Sequence, residues 1–472
     1  MKLSVPEVLT QDELEAIHEA SLNILAEVGM VVDEKKLLHL LAEAGTEVDF
    51  QTGLVKIPRE LTQQALRTAL SEVALLSRDG QSAINLGDGK SYAATGFDAV
   101  FFEDTVQGER RPARKEDVGH LFRIADALEC YALLCPPALP QDVPPRLSYA
   151  HAADAAFNNS GKHLLMAVDS RETTETLLEM AQVVADTSDL NHKPIISFQV
   201  SIESPLYWPE HVSGPVLAIV RAGVPILFHT APLPGFSGPI TLAGQLAEHN
   251  AAILSGVVVS QIIREGSPVI YGGGQGTFDL RAMTRVLGCP EAALLMVAGG
   301  QIGRFYGIPC HSLGLDTDSH VHDEQNGWEK MLTAIFSLIS GIDLVVNSSM
   351  YGTAMAASAE QLLIDHEILE ICYRLLEGIE VNPETIAFDV IKSVGPCGNF
   401  VTEEHTLRHL RTGEHWLPKL ANRHGYDKWR EAGGRDVVQR AAQRAQEILK
   451  SHEPEPLEAQ VRRELERILS TA

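Results

Sequence analysis

Basic residues are in short supply. Lys and Arg number 38 against 63 Asp and Glu, a formal net charge of −25 over 472 residues. Phosphate recognition needs clustered Lys and Arg, so this shortage argues against nucleic-acid partners and against docking on anionic membranes. Cysteine is sparse too: Cys130, Cys135, Cys289, Cys310, Cys372 and Cys397, with no C-x-x-C pair. That excludes a disulfide scaffold and a ribbon-type zinc or dithiol motif, and predicts reduced thiols in a cytoplasm. No apolar run reaches the roughly 20 residues of a membrane span. The longest, at 251–263, is interrupted by Ser255, Gly256, Ser260 and Gln261, and the first residues carry no apolar signal core. Phosphate-binding and hydrolase fingerprints are missing as well. Gly272-Gly273-Gly274-Gln275-Gly276-Thr277 fits neither G-x-G-x-x-G nor a P-loop, and no G-x-S-x-G elbow occurs.

What is present is ordinary globular composition, 45% hydrophobic and 21% charged, in a chain long enough to bury a large core. Thr10-Gln11-Asp12-Glu13 has capping-box spacing ahead of a helix, and further helices are predicted at 34–44 and 58–70. Asp79-Gly80 and Gly87-Asp88-Gly89 then punctuate short strands. Residues 1–95 read as a helical and hairpin extension. Beyond them, apolar runs at 99–102, 131–134, 164–168, 195–198, 225–228, 268–271, 308–310 and 343–346 each precede an amphipathic helix. The helices fall at 116–128, 147–157, 172–185, 209–221, 241–264, 290–306, 324–340 and 359–376. Eight strand–helix units predict an α/β fold, a closed (β/α)8 TIM barrel over 96–380. The competitor is an open doubly wound sheet. Residues 381–472 read as a C-terminal helical region packed on the barrel. Its Arg/Glu alternation suits a solvent face or subunit contact, and a homo-oligomer is expected.

In such a barrel chemistry sits where strands end. Those positions hold Gln199, His229, Gly272, Gly273, Gly274, Gln275, His311, Asp316 and Tyr351. The segment from His311 to Asp323 gathers three His and three Asp, among them His320. Such a loop can contact a polar ligand, hold a metal, or simply cap the helix behind it, with Asp323 as N-cap. No metal is expected, because the ligand spacing is poor. The glycines either admit a bound group close to the backbone or only allow tight turns. Aromatics are 6% of the chain, and Phe228, Tyr271 and Tyr351 stand near strand ends. There their faces can cage a quaternary ammonium, unless they belong to the core.

Several stretches together resemble the trimethylamine methyltransferase family. They include His18-Glu19-Ala20-Ser21-Leu22-Asn23, Ser237-Gly238-Pro239-Ile240-Thr241-Leu242-Ala243-Gly244, Asp279-Leu280-Arg281, Gly288-Cys289-Pro290-Glu291 and Asp316-Thr317-Asp318-Ser319. The likeness runs in order along nearly the whole chain. It implies a barrel that moves a methyl group from an amine to the cobalt of a cobalamin carried by a cognate corrinoid protein. Founding members contain pyrrolysine, whereas this chain has only the standard twenty residues. It therefore resembles the branch that demethylates quaternary amines such as glycine betaine, proline betaine or carnitine. On that resemblance Gln199, Phe228, His229, Tyr271, Gln275, Asp316, His320 and Tyr351 are the expected substrate contacts. Gly272, Gly273, Gly274 and His311 are expected beside the cofactor. A betaine-binding barrel without methyl transfer, and a non-corrinoid lyase or hydrolase on the same scaffold, stay open.

Overall fold

The computed structural model describes residues 5–104, 108–273 and 276–471. Eight parallel strands close into a barrel: β1 (Tyr92–Thr95), β2 (Tyr131–Leu134), β3 (His163–Ala167), β4 (Ile196–Ser201), β5 (Ile226–His229), β6 (Val269–Gly272), β7 (Cys310–Leu313) and β8 (Leu344–Ser348). Each pairs with its neighbours in sequence, and β8 pairs with β1 to close the ring. The helices that follow are α1 (Lys115–Asp126), α2 (Ser148–Asn159), α3 (Arg171–Ala185), α4 (Glu210–Ala222), α5 (Leu242–Ile263), α6 (Pro290–Tyr306), α7 (Glu324–Ile339) and α8 (Ala359–Glu377). This is the expected (β/α)8 barrel.

Its first strand differs from expectation. The run at 99–102 is not in the barrel; β1 is Tyr92–Thr95, ahead of the boundary expected at residue 96. Strand Phe101–Asp104 instead pairs with Glu109–Pro112 and, through Ala356–Ala357, with Met350–Tyr351. The reason is size and exposure. Ala93 and Ala94 are small enough for the crowded wall, whereas Phe101 and Phe102 stay half-exposed, with Arg110 and Arg111 over their rings.

Alternation along the strands separates two apolar sets. Ala94, Leu133, Cys135, Leu165, Leu227, Ile270, Leu313, Leu344 and Val346 form one cluster, the barrel interior. It also takes in Val73, Leu75 and Leu86 of the hairpin Val73–Leu76/Ala83–Leu86. That hairpin is tied to the strand starts by bonds to Pro194 and Asp343, so it closes the amino end of the barrel. The alternate residues, among them Phe198, Phe228 and Tyr271, join the larger cluster between wall and helices. Helix α5 is apolar all round and long enough to cross a membrane, but it is enclosed by the fold and packs against Gln11–Asn23 and Arg59–Thr68. Burial on every side explains its lack of a polar face. Helix Val437–Ser451 lies on α8 and α1, and Ala459–Thr471 lies on α3 and α2.

Candidate active site at the barrel mouth

At the carboxyl end of the strands a cavity of about 510 Å³ opens to solvent. Gln199, Ser201 and His229 line it from the wall, Asn347 from the end of β8, and Phe97 from the loop after β1. Arg285 and Leu287 reach in from the hairpin Thr277–Asp279/Thr284–Val286, which is inserted between β6 and α6.

Register explains the wall. Leu227 faces inward, so His229 does too, and likewise Ile270 and Gly272 on β6, and Leu313 and His311 on β7. Phe228 is paired with Tyr271, and Gly272 with His311, which puts His229, Gly272 and His311 side by side. With no side chain between them, the two imidazoles meet edge to face, centroids 5.7 Å apart. A Cβ on Gly272 would lie 1.8 Å from the carbonyl oxygen of Phe228, and one on Gly273 would meet the backbone of His311 and Gly299. Chain packing therefore accounts for Gly272 and Gly273, which were expected beside a cofactor. Gly274 and Gln275 lie outside the described residues.

The histidines are uncharged at neutral pH. Burial pushes His229, and His249 on α5, down to about 3, and holds His311 well below the ordinary imidazole value. Nδ1 of His229 and both ring nitrogens of His249 and His311 are buried without a hydrogen-bond partner. Also unpartnered are Oε1 of Gln199, Nε and Nη2 of Arg285, and Oδ2 of Asp316. Buried polar atoms are normally satisfied. A concentration of orphans around one open cavity marks a place built for a ligand.

The loop from His311 to Asp323 is mostly bracing. Asp323 caps α7, accepting from the Asn326 amide at 3.0 Å. Glu329 on α7 accepts from Thr317 Oγ1 and the Asp318 amide. Asp318 accepts from the Leu287 and Gly288 amides at 3.0 and 2.9 Å and from Thr353 Oγ1 at 3.0 Å, which fixes the hairpin that carries Arg285. Asp316 sits behind Asn347, whose Nδ2 donates to Oδ1 at 2.8 Å. Burial pushes the Asp316 carboxyl up to about 7, against the Asn347 bond and the nearby Lys330 and Arg285. Beneath these loops Lys330, fully buried, donates to Asp365 and to the Leu315 carbonyl. Leu315, Asn347 and Ser349 all adopt positive φ (56, 91 and 81°), strain that clusters at working sites.

The expected contacts thus divide. Gln199 and His229 line the cavity, with His311 and Asp316 just behind. Phe228 and Tyr271 do not: they point outward. Phe228 packs on Trp208 and against Gly256 of α5. Tyr271 is fully buried, donating to Asn250 Oδ1 at 2.9 Å beside Tyr306. The expectation that they cage a cation at the mouth is corrected by strand parity. Tyr351 lies beyond the cavity lining, its hydroxyl on Glu103 and its ring 4.9 Å from His322. His320 is exposed against Gly352. Sequence reading missed Arg285, Asn347 as partner of Asp316, and Phe97, the aromatic ring of the cavity.

Fold and cavity define a (β/α)8 barrel with an open mouth lined by strand-end and loop residues at the carboxyl face. The trimethylamine methyltransferase (MTTB) family model matches residues 2–471, and the chain belongs to that family. A trimethylamine methyltransferase MttB of Desulfitobacterium hafniense is 34% identical, over 95% of this chain and 90% of the relative. A glycine betaine methyltransferase of the same species is 29% identical, over 98% and 96%. The crystal structure of the monomethylamine methyltransferase MtmB of Methanosarcina barkeri covers 92% of each chain, at 11% identity and a TM-score of 0.48.

Proposed function

We propose that the protein moves a methyl group from a quaternary amine of the glycine betaine type to the cob(I)alamin of a cognate corrinoid protein. The observation that carries this reading is the set of unpartnered polar atoms around an open mouth, on Gln199, His229, Arg285 and Asp316. It is a set for binding and orienting. Among the described residues lining the cavity, no serine is hydrogen-bonded to a histidine, as covalent catalysis on a hydroxyl would need. A quaternary ammonium leaves as a neutral amine, so its demethylation needs no general acid.

A corrinoid fits the rim. Phe236, Ile240, Leu280, Met283 and Met355 are exposed on the loops around the cavity, a ring of apolar contacts for a large macrocycle and its carrier. When bound, the corrinoid supplies a cobalt(I) nucleophile for the methyl carbon. The chain's own residues bind and align the substrate. Neutral His229 and His311 add no positive charge that would repel an ammonium. Phe97 lines the cavity, Asp316 holds a buried carboxyl behind it, and the hairpin and loop 230–241 flank the opening. We further place the enzyme in the cytoplasm, with its cysteines free. Self-association would use the exposed apolar residues Ile379, Val381, Phe388 and Val401.

Mixing the protein with glycine betaine and free cob(I)alamin is expected to produce methylcobalamin, followed by its visible spectrum. Turnover of betaine without cobalamin, or binding with no methylation at any cobalamin concentration, would overturn the proposal.

A further inference from the structure

The arm that follows α8 has almost no core of its own. Among the described residues between 379 and 434, only Leu420 is buried. The short helices Pro383–Ile386, Phe388–Val394, Glu404–His409 and Tyr426–Glu431 contain no buried residue. So little apolar burial does not offset the entropy of ordering the chain, and units of this kind need a staple. Cys397 is the arm's single cysteine, so the staple is not a disulfide within it. The far end is tied to α8, where Glu367 accepts from the Lys419, Leu420 and Ala421 amides and Arg374 donates to the Glu414 carbonyl. The stretch before that folds back on itself.

One side-chain cluster lies at the fold-back. His405 and His409 stand at i and i+4 of helix Glu404–His409 and so share a face. This spacing places two imidazoles on one metal ion. Both line a cavity of about 280 Å³, together with His415. Glu384 faces them from the helix Pro383–Ile386, and the ligand atoms of Glu384, His405 and His409 all lie within 4.8 Å of one another. Nε2 of His409 has no hydrogen-bond partner and stands 3.6 Å from Oε1 of Glu384. That gap is too long for a hydrogen bond. It is close to the separation of two ligands on a tetrahedral zinc, about 3.4 Å for bonds of about 2.1 Å. His405 meets the same residue through its backbone, Nε2 lying 3.3 Å from the Glu384 carbonyl oxygen. Arg408 pairs with Oε1 of Glu384 at 2.8 Å, but a carboxylate has a second oxygen and the Arg408 side chain is half-exposed.

We propose that Glu384, His405 and His409 hold one divalent ion of the zinc class, which clamps helix Glu404–His409 to helix Pro383–Ile386 and staples the arm. Two imidazoles and a carboxylate suit zinc, whereas magnesium and calcium take oxygen ligands. Three protein ligands leave a fourth position for water or His415. The site is independent of the methyl-transfer reading. It departs from the expectation of a metal-free chain, which rests on ligand spacing in the loop from His311 to Asp323.

The test uses the full chain, stripped with a chelator and titrated with zinc chloride by calorimetry. Hydrogen exchange over residues 380–411 is read in parallel by mass spectrometry. One zinc per chain is expected. Losing a supporting partner alone costs about 10- to 100-fold in metal affinity, so His409→Gln, which removes a ligand, should cost about 100-fold or more. His405→Gln repeats the test on the other imidazole. Arg408→Gln removes a neighbouring cation and no ligand, and should bind zinc at least as tightly as the parent. Zinc at about 100 times the parent's Kd should slow exchange of the arm by up to roughly 100-fold in the parent, and by no more than about twofold in His409→Gln. A parent that binds no zinc, or binds it without slowing exchange in the arm, would overturn the proposal. So would full affinity in both histidine variants, which would place the ion elsewhere, first at the Cys130, His366 and Glu370 group that Lys419 closes. Slow exchange that follows protein concentration and not zinc would assign the stapling to a second copy of the chain, and would overturn it as well.

Discussion

Replacing Lys330 by methionine should destabilise the protein by about 3–5 kcal/mol, the usual result of stripping one partner from a buried ion pair. Lys330 and Asp365 are both fully buried, with Nζ to Oδ2 at 2.8 Å. Nζ also donates to the Leu315 carbonyl at 2.6 Å. Asp365 accepts from the Ser349 amide at 2.7 Å and Gln361 Nε2 at 2.8 Å, so it is held in place when the lysine goes. Burial already raises its carboxyl, and Lys330 is the largest opposing influence. Without the ammonium the carboxyl must take up a proton to stay inside. That gives the penalty a pH signature. A folded pKa above the unfolded value makes the folded state the stronger proton binder, so stability is greatest in acid and falls as pH rises toward the folded pKa. The variant's deficit should therefore grow with pH. Adding Asp365→Asn removes the orphan charge and leaves the unpaired Leu315 carbonyl and weaker bonds, about 1–3 kcal/mol. Urea unfolding followed by the buried Trp208 measures all three proteins. A single variant within about 1 kcal/mol of the parent, or a double variant no more stable than the single, would refute the reasoning.

Tyr271→Phe should lose the bond to Asn250 and about 1 kcal/mol of stability while leaving betaine affinity unchanged; a weaker affinity by calorimetry would put the ring back in the mouth. Tetramethylammonium binding should strengthen as pH rises through about 7, where buried Asp316 ionises, and Asp316→Asn should flatten that profile. The same shift acts oppositely on folding. The folded pKa lies above the unfolded one, so the stabilising contribution is full in acid and declines as pH climbs toward 7. Gly272→Ala should cost about 3 kcal/mol or more, because the new Cβ falls on the Phe228 carbonyl; a urea midpoint equal to the parent's would contradict the register drawn for β5 and β6.

The helices were legible because each carries its own punctuation. Pro290 opens α6 at the predicted residue, and Asp323 caps α7 as its spacing suggests. Strand β1 was not, since Tyr92-Ala93-Ala94-Thr95 has little apolar mass and the Phe pair just beyond it has more. Hydrophobicity ranked them wrongly; the volume available in a closed wall ranks them the other way. Within the site, Gln199, His229, His311 and Asp316 could be read because strand ends announce themselves. Phe228 and Tyr271 were misread against available information. If His229 faces inward, alternation sends Phe228 outward, and the same count sends Tyr271 out when Ile270 faces in. Arg285 left no local signal, for Asp279-Leu280-Arg281 just ahead of it entered only as a stretch that resembles the family.

That omission has a physical basis. Burial holds the wall histidines at the mouth toward the neutral form, and the strands otherwise contribute apolar side chains, amides and the Ser201 hydroxyl. The buried charged groups near the mouth come from elsewhere, Arg285 from the inserted hairpin and Asp316 from the loop after β7. Both are referenced to the same brace, since Asp318 grips the hairpin two residues after Asp316 and Glu329 grips Asp318. A change of hairpin length would therefore move Arg285 relative to Asp316 while leaving the barrel intact.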